Sequence, residues 1–469
     1  MDQLEQELRA LLEPFGQQDA LAHWNELDQA RRQQLAAELR TLDLAEIRDL
    51  FHSAAAAEDW AQLARKATPP PAFRLDDRQP TIATDQAQRR GAEALAAGEF
   101  GVILVAGGQG TRLGFDRPKG MFAVGPVSGN TLFQILLEKI VARARAARMR
   151  IPLYLMSSPA THADTVAYLR ENENFGLPQD DLTVFCQGTM PAVDAATGRL
   201  LLQDKHRLAL SPDGHGGTLA ALVKSGALAD IRARGIRQLF YCQVDNPLVE
   251  MCDPLFLGYH LLSNSELSTQ VVAKRTLRDK VGNVVSIDGR LRIIEYSDLN
   301  PLDDDIVGRG VAEGAPVFWA GNTAIHVFNV ELLERAARSA TALPFHVAHK
   351  SVPYVNAAGQ RVEPQEPNAI KFERFIFDLL PEARRAIVVE VDEQKAFAPV
   401  KNRSGEQRDT PETVARQMIA LHTSWLRAAG CTVDDGVAVE IGPMFAQNAE
   451  EVAAQVRPGM VVTQPRYFC

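Results

Sequence analysis

The sequence predicts an α/β fold: a largely parallel sheet with helices on both faces. Two observations carry this. Short continuous apolar runs recur, the first being Gly101-Val102-Ile103-Leu104-Val105-Ala106, as expected of strands buried on both faces. Helical stretches separate these runs, and strands alternating with helices imply parallel pairing through crossovers. A third observation sets the scale: 469 residues exceed one small core, so two or three domains are expected.

In chain order, residues 1–97 read as a helical amino-terminal layer with a linker. Leu4, Leu8, Leu11, Leu12 and Phe15 share one face at helical spacing. Trp24, Leu27, Leu35 and Leu39 suggest a second helix, and Leu44, Ile47, Leu50 and Phe51 a third. These side chains are expected to be core, in a small layer docked on the main domain. Thr68-Pro69-Pro70-Pro71 then breaks any helix, leaving a linker or a wrapping segment. Residues 98–384 form the main domain. Its strands are expected at 101–106, 151–156, 182–185 and 239–244, with a helix at 132–147. Residues 385–469 hold a strand at 386–391 and a helix at 413–429. Short apolar runs such as 437–441 suit a small β-rich region. Ligands of such sheets bind beyond the carboxyl ends of the strands. The loops after Ala106 and Val244 are therefore the ones to carry function.

Composition narrows the classes. A net charge of −9 argues against a general nucleic-acid binder, although a local nest of amides and cations can still hold a small anion. No run reaches the eighteen or so apolar residues of a membrane helix, so no membrane partner is expected. The acidic start Met1-Asp2-Gln3-Leu4-Glu5 lacks the blocks of a secretory signal. Cys186, Cys242, Cys252, Cys431 and Cys469 form no CxxC and no zinc spacing, which suits a reducing cytoplasm. Cys242 sits in an apolar run and reads as core.

The strongest local signal is Ala106-Gly107-Gly108-Gln109-Gly110-Thr111-Arg112-Leu113-Gly114, running on to Pro118-Lys119. Glycines behind a buried strand let backbone amides approach a phosphate or a base. Arg112 offers a planar fork to phosphate oxygens and Lys119 a mobile point charge. The set suits a triphosphate whose outer two phosphates leave. A dinucleotide loop would read GxGxxG straight into a helix, and a Walker loop GxxxxGK[ST]; neither is present. Asp245, where the strand 239–244 ends, is placed either to hold Mg²⁺ or to cap the next helix.

The run from Gly107 to Lys119 closely resembles the signature of the eukaryotic-type UDP-sugar pyrophosphorylases, nearest to the branch that uses N-acetylglucosamine 1-phosphate. The resemblance continues in order through Gly120-Met121, Thr131-Leu132-Phe133-Gln134, Gln187-Gly188, Pro191-Ala192 and Pro212-Asp213-Gly214-His215-Gly216-Gly217. It goes on through Val244-Asp245-Asn246, Glu295-Tyr296-Ser297, Ala320-Gly321-Asn322 and Pro344-Phe345-His346-Val347-Ala348-His349-Lys350. Ile370-Lys371-Phe372-Glu373 and Phe397-Ala398-Pro399-Val400-Lys401-Asn402 complete it, so that it covers roughly residues 100–430.

This resemblance implies a Rossmann-like, glycosyltransferase-A-like nucleotidyltransferase domain with a mixed, mostly parallel sheet. It implies an enzyme that makes a UDP-sugar and pyrophosphate from UTP and a sugar 1-phosphate, with Mg²⁺. Gly107, Gly108, Gly110 and Thr111 would approach the nucleotide, Gln187 would read the uracil edge, and Gly214 would pack near the base. Asp245 would hold Mg²⁺, while Arg112, Lys119 and Lys401 would carry the catalytic charge. Gly282, Glu295, Asn322, His215 and Lys371 would serve the sugar 1-phosphate. His215 departs from the Asn typical of the acetylglucosamine branch, and a His-Gly pair there resembles the UDP-glucose and broad-specificity members. Glucose 1-phosphate is thus the nearest rival substrate, and a non-catalytic nucleotide-sugar sensor the rival of another class. A dinucleotide-dependent dehydrogenase conflicts with the loop spacing.

Overall fold

The computed structural model describes residues 2–53, 59–312, 314, 316–339 and 343–469. Met1 of the acidic amino terminus and residues 54–58 of the amino-terminal segment lie outside the described residues. The chain forms two units from discontinuous stretches. One comprises Met1–Asp59, Gln187–Thr218 and Leu343–Ile376, and the other Trp60–Cys186, Leu219–Ala342 and Phe377–Cys469.

The larger unit carries the expected sheet. Its strands are β1 (Ala72–Phe73), β2 (Phe100–Val105), β3 (Leu153–Ser157), β4 (Leu182–Cys186) and β5 (Gln238–Gln243), followed by β6 (Leu267–Ala273), β7 (Asn283–Ile287), β8 (Arg290–Ile294), β9 (Ala320–Asn329) and β10 (Ala386–Glu390). The order is β1-β10-β6-β9-β5-β2-β3-β4, and β7 pairs with both β8 and β9. The pairs β5/β2, β2/β3, β3/β4, β6/β10 and β1/β10 are parallel. Strand β9 runs antiparallel to β5 and β6, which makes the sheet mixed.

The apolar runs behave as predicted. Val102 and Leu104 are buried and share a core with Leu155, Phe240 and Cys242. Helix Leu132–Ala147 covers that core with Phe133, Leu136, Leu137 and Ile140. Its start is fixed by Thr131, whose hydroxyl accepts the Gln134 N–H at 3.2 Å. The proline segment proves to be a wrapping one. Thr68 and Ser286 exchange two backbone hydrogen bonds of 2.8 and 2.9 Å, and β1 then joins the sheet edge beside β10. An edge is where a proline run with no amide donors is tolerated.

The carboxyl-terminal strands are present but short. Thr432–Val433 pairs with Val461–Val462, and Val439–Ile441 with Arg466–Phe468, both parallel. The longer element is helix Pro411–Ala428, whose Leu426 packs with Val433, Val439, Ile441 and Phe468.

In the smaller unit, helices Gln3–Leu12, Gln29–Arg40 and Leu44–Ser53 pack on strands from later in the chain. Phe345–Lys350, Ala369–Arg374 and Val193–Asp194 form a three-stranded sheet. Leu8, Leu12, Leu35, Leu39 and Ile47 share a core with Val193, Leu208, Ile370 and Phe372. The second helix begins later than its apolar spacing predicts. Trp24–Glu26 is a single 3₁₀ turn and Leu27 is extended. Asp28 accepts the Arg31 N–H at 2.9 Å and so caps the helix that starts at Gln29. Trp24 and Leu27 are core, as expected, but the cap decides where helical backbone begins.

Candidate active site

The loop after β2 folds back on itself. Gly110 N–H donates to the Arg117 carbonyl at 2.9 Å, and Lys119 N–H to the Gly108 carbonyl at 3.0 Å. The Ser158 hydroxyl, just past β3, donates to the Gly107 carbonyl at 2.7 Å. Two glycines differ in what they tolerate. A Cβ on Gly110 would lie 2.7 Å from Phe115, whereas a Cβ on Gly108 would meet nothing within 4 Å. Gly110 is therefore demanded by the loop's own packing. Gly108 borders open space, where only something outside the fold could require it. Thr111 and Arg112 lie exposed in a 3₁₀ turn on the same loop.

This loop delivers Lys119 to the carboxyl end of β5. Its ammonium lies 3.7 Å from Asp245 Oδ2 and donates to the Val400 carbonyl at 3.4 Å. Lys119 and Asp245 are largely buried, their side chains 18% and 13% exposed, so their attraction is less screened than a surface pair's. The segment 396–400 is stapled to the strand end. Val400 N–H donates to the Asp245 carbonyl at 2.8 Å, Asn246 Nδ2 to the Ala396 carbonyl at 2.8 Å, and Ala398 N–H to Asn246 Oδ1 at 3.1 Å. Lys401 follows directly, its ammonium 5.8 Å from the centre of the Phe397 ring. Lys119, Asp245 and Lys401, more than 280 residues apart in sequence at the extremes, are thus tied to one another by Val400. The Asn246 staple has no separate sequence signal, since an Asn after an Asp reads as an ordinary turn.

Of the five residues expected to serve the sugar 1-phosphate, Gly282, Glu295 and Asn322 lie together in this unit, while His215 and Lys371 belong to the smaller one. Asn322 N–H donates to the Gly282 carbonyl at 2.8 Å, and a Cβ on Gly282 would lie 2.8 Å from Glu295 Oε1. Gly282 thus permits Glu295 to approach the backbone before β7. Next to it, a cleft of about 560 Å³ is lined by Lys274, Val281, Ala398, Lys401 and Asp409. Lys274 and Asp409 were not anticipated. Lys274 donates to the Leu277 carbonyl at 2.6 Å and to Asn283 Oδ1 at 2.5 Å, and burial pulls its ammonium down to about 8. It directly follows β6, so the strand-end rule could have found it. Asp409 holds left-handed backbone (φ 56°), and its carbonyl accepts the Lys401 and Asn402 amides at 2.8 and 2.9 Å. Burial raises its carboxyl, against the pull of Lys401. Nothing in the sequence marks that conformation.

In the smaller unit, buried Gln187 precedes Gly188, whose carbonyl accepts the Asp213 N–H at 3.2 Å. Gly214 has φ 81° and packs against the Arg374 backbone, where a Cβ would lie 2.4 Å from the carbonyl oxygen. His215 Nδ1 accepts the Ile376 N–H at 3.2 Å, which leaves the ring hydrogen on Nε2. Its ring stacks on Phe375 at 5.3 Å, and burial, with His346 nearby, holds its pKa down at about 4. His215 is therefore a neutral imidazole at pH 7. Lys371 lies on strand Ala369–Arg374, opposite Ala348.

Among the described residues no helix is long and apolar enough to cross a membrane. Residues 47–424 match the family model described as UTP–glucose-1-phosphate uridylyltransferase. The UDP-N-acetylglucosamine pyrophosphorylase of Saccharomyces cerevisiae is 37% identical over 372 residues, spanning 78% of this chain and 77% of its own. The UDP-N-acetylhexosamine pyrophosphorylase-like protein 1 of Xenopus tropicalis is 36% identical over 443 residues, 90% of this chain and 84% of its own. Among solved structures, the UDP-N-acetylglucosamine pyrophosphorylase of Trypanosoma brucei, in complex with an inhibitor, superposes with a TM-score of 0.81 at 25% identity over 99% of both chains. The expected family, the mixed and mostly parallel sheet and the enzyme class all stand on these likenesses. The chain belongs to the UTP–glucose-1-phosphate uridylyltransferase family and is a uridylyltransferase of the UDP-sugar pyrophosphorylase type.

Proposed function

We propose that this chain joins UTP to N-acetylglucosamine 1-phosphate, giving UDP-N-acetylglucosamine and pyrophosphate. The observation that carries the chemistry is the knot of Lys119, Asp245 and the segment leading to Lys401 at the carboxyl ends of β2 and β5. The names of the yeast and frog relatives support the sugar.

A sugar 1-phosphate oxygen attacks the α-phosphorus of UTP. One P–O bond forms, the bond to the β-phosphate bridge breaks, and pyrophosphate leaves with the electron pair. The attacking phosphate is already anionic at neutral pH, so the protein's task is to bring two polyanions together and in line. The loop of Gly107, Gly108, Gly110 and Thr111 approaches the nucleotide. Arg112 and Lys119 take up charge on the departing pyrophosphate, and Lys401 neutralises the phosphate under attack. Gln187 and Gly214 serve the uracil, Gly282, Glu295 and Asn322 the sugar hydroxyls and acetamide, and His215 and Lys371 are also assigned to the sugar 1-phosphate. These roles fall in residues 98–384, with Lys401 supplied from 385–469.

Asp245 suits Mg²⁺. It is a hard oxygen donor at a strand end, and Mg²⁺ is commonly held by one or two carboxylates together with substrate phosphates. When bound, the ion would offset phosphate charge. Lys119 keeps the carboxylate oriented toward the glycine loop, since the ammonium touches Oδ2 and is itself held by the Val400 carbonyl. A reducing, cytoplasmic setting follows from the cysteine pattern.

His215, standing where the acetylglucosamine branch has Asn, favours a second reading in which glucose 1-phosphate, or several sugar phosphates, are the substrates. Pyrophosphate release from UTP and Mg²⁺ decides between them, with the two sugar phosphates run in parallel. A preference for the acetylated sugar upholds the proposal. A preference for glucose 1-phosphate replaces it with the second reading.

A further inference from the structure

The chain between Lys119 and the helix Leu132–Ala147 is a closed loop. Val124 and Gly125 amides both donate to the Asn130 carbonyl, at 2.9 and 3.0 Å, and Leu132 N–H returns to the Phe122 carbonyl at 3.0 Å. At its tip stands a side chain from the far end of the sequence. Glu440, on strand Val439–Ile441, is only 2% exposed. Its Oε2 accepts the Val127 and Ser128 amides at 2.8 and 2.7 Å, and its Oε1 accepts the Ser128 hydroxyl at 2.8 Å. Tyr467, on the partner strand Arg466–Phe468, accepts from Asn130 Nδ2 at 3.1 Å. Contact is close: a Cβ on Gly125 would lie 2.8 Å from Glu440 Oε1.

A buried carboxylate is costly unless its lone pairs are satisfied. Here no Lys or Arg among the described residues lies within ion-pair distance of Glu440, and three loop donors supply the compensation instead. Those donors are fixed only if the loop is fixed. Charge-assisted bonds from two adjacent amides leave it little freedom to move. The near end of the same loop is Lys119, whose side chain must reach both Asp245 and Val400.

We propose that Glu440 is a positioning residue for the site: the carboxyl-terminal strand pair clamps the loop 120–131 through Glu440 and so sets where Lys119 stands. This rests on the reading of Lys119 as the cation for the departing pyrophosphate. Glu440 touches no substrate. It acts through the loop, and its loss falls on the nucleotide side of the reaction. Glu440→Gln removes the charge, so the Val127 and Ser128 amides are left with a neutral carbonyl oxygen in place of a carboxylate, and the new NH₂ meets a Ser128 hydroxyl that had been donating.

The test uses the full-length enzyme. Steady-state kinetics are measured with UTP varied and then with sugar 1-phosphate varied, alongside amide hydrogen exchange of peptides covering 119–131. Glu440→Gln is expected to raise the KM for UTP at least about fivefold and lower kcat about tenfold, with the KM for sugar 1-phosphate within about twofold. Loop amides should exchange faster. Ser128→Ala, which keeps both amide donors, should show the same pattern more weakly, and it gives the readout if Glu440→Gln does not fold. Asn448→Ala is the control, since its side chain serves helix Ala449–Gln455 of the same small core, accepting the Glu451 N–H at 2.8 Å and donating to Glu451 Oε1 at 3.0 Å. It should lower the unfolding temperature and leave both KM values alone. Faster loop exchange with unchanged kinetics would overturn the positioning role, as would equal shifts in both KM values. Lys119→Ala separates the two ideas. If it retains parental turnover, the reading of the site fails. If it is inactive while Glu440→Gln behaves as the parent, only the clamp fails.

Discussion

Lys119 shows how much one side chain's setting matters. Its charge is enclosed, close to a carboxylate, and aimed at the end of a parallel strand. Preorganised charge of this kind acts on the developing anion with little reorganisation. Lys119→Ala should therefore lower kcat by about 10²–10³, the range seen when one such donor is removed elsewhere, and should also lower stability, because Asp245 is left largely buried without its cation. Stopped-flow or coupled pyrophosphate assays read this directly. Gly108 makes the complementary case. A methyl group added there meets nothing, so Gly108→Ala should change stability by less than about 0.5 kcal/mol. If a nucleotide occupies that space, the KM for UTP should still rise about tenfold. An unchanged KM would place the nucleotide elsewhere.

At the scale of elements, the site depends on how loops are fastened to strand ends. Asn246 uses its side-chain amide on both sides, donating to Ala396 and accepting from Ala398 and Leu248. Asn246→Ala would leave a part-buried carbonyl and two buried amides without this partner, at about 1–3 kcal/mol for each buried group not rescued by water. The expected outcome is a lower denaturant midpoint together with a fall in kcat, because Lys401 rides on the released segment. Gly110→Ala belongs to the same scale. Its Cβ would collide with Phe115, and overpacking of that kind typically costs about 1–3 kcal/mol. Unlike Gly108→Ala, it should lower stability and activity together.

Across the whole molecule, buried histidines set the response to acid. Burial holds His215 at about 4, and His260 and His422 at about 3, against an ordinary 6.5. Each is neutral when folded and takes a proton when unfolded below pH 6.5. The unfolded state then binds more protons, so the full stability present above pH 6.5 is lost as pH falls toward 4 and 3. Each such group contributes a slope of up to about 1.4 kcal/mol per pH unit. Asp213 works in the opposite sense. Burial raises it to about 6, and its contribution is lost as pH rises through that value. Thermal unfolding between pH 7 and 4 should show a steep acid limb. His260 sits between Ser268 and Gln238, at 2.7 and 3.0 Å. His260→Gln should make that limb shallower by up to one proton, whatever it does to absolute stability.

What the sequence by itself determined was local and periodic. Buried strands announce themselves by continuous apolar runs, so β2, β3, β4, β5 and β10 were legible to within two residues. That the glycine loop and Asp245 stand at strand ends was legible because each directly follows an apolar run. The alternation of strands and helices gave the fold class, and the ordered motifs gave the family. The tertiary structure alone decided what depends on distant partners. It decided that β9 enters antiparallel between β5 and β6, since no pattern in one strand encodes its neighbour's direction. It put residues 2–53 on strands from 187–218 and 343–376, because an apolar face requires a cover without naming it. It also decided that Val400 links Lys119 to Asp245, that Asp409 holds the Lys401 amide, and that Glu440 grips the loop after Lys119. These contacts join residues separated by more than 150 or 300 positions or by an unusual backbone angle. They are settled by the balance of burial and hydrogen bonding in the folded chain, which one-dimensional spacing does not carry.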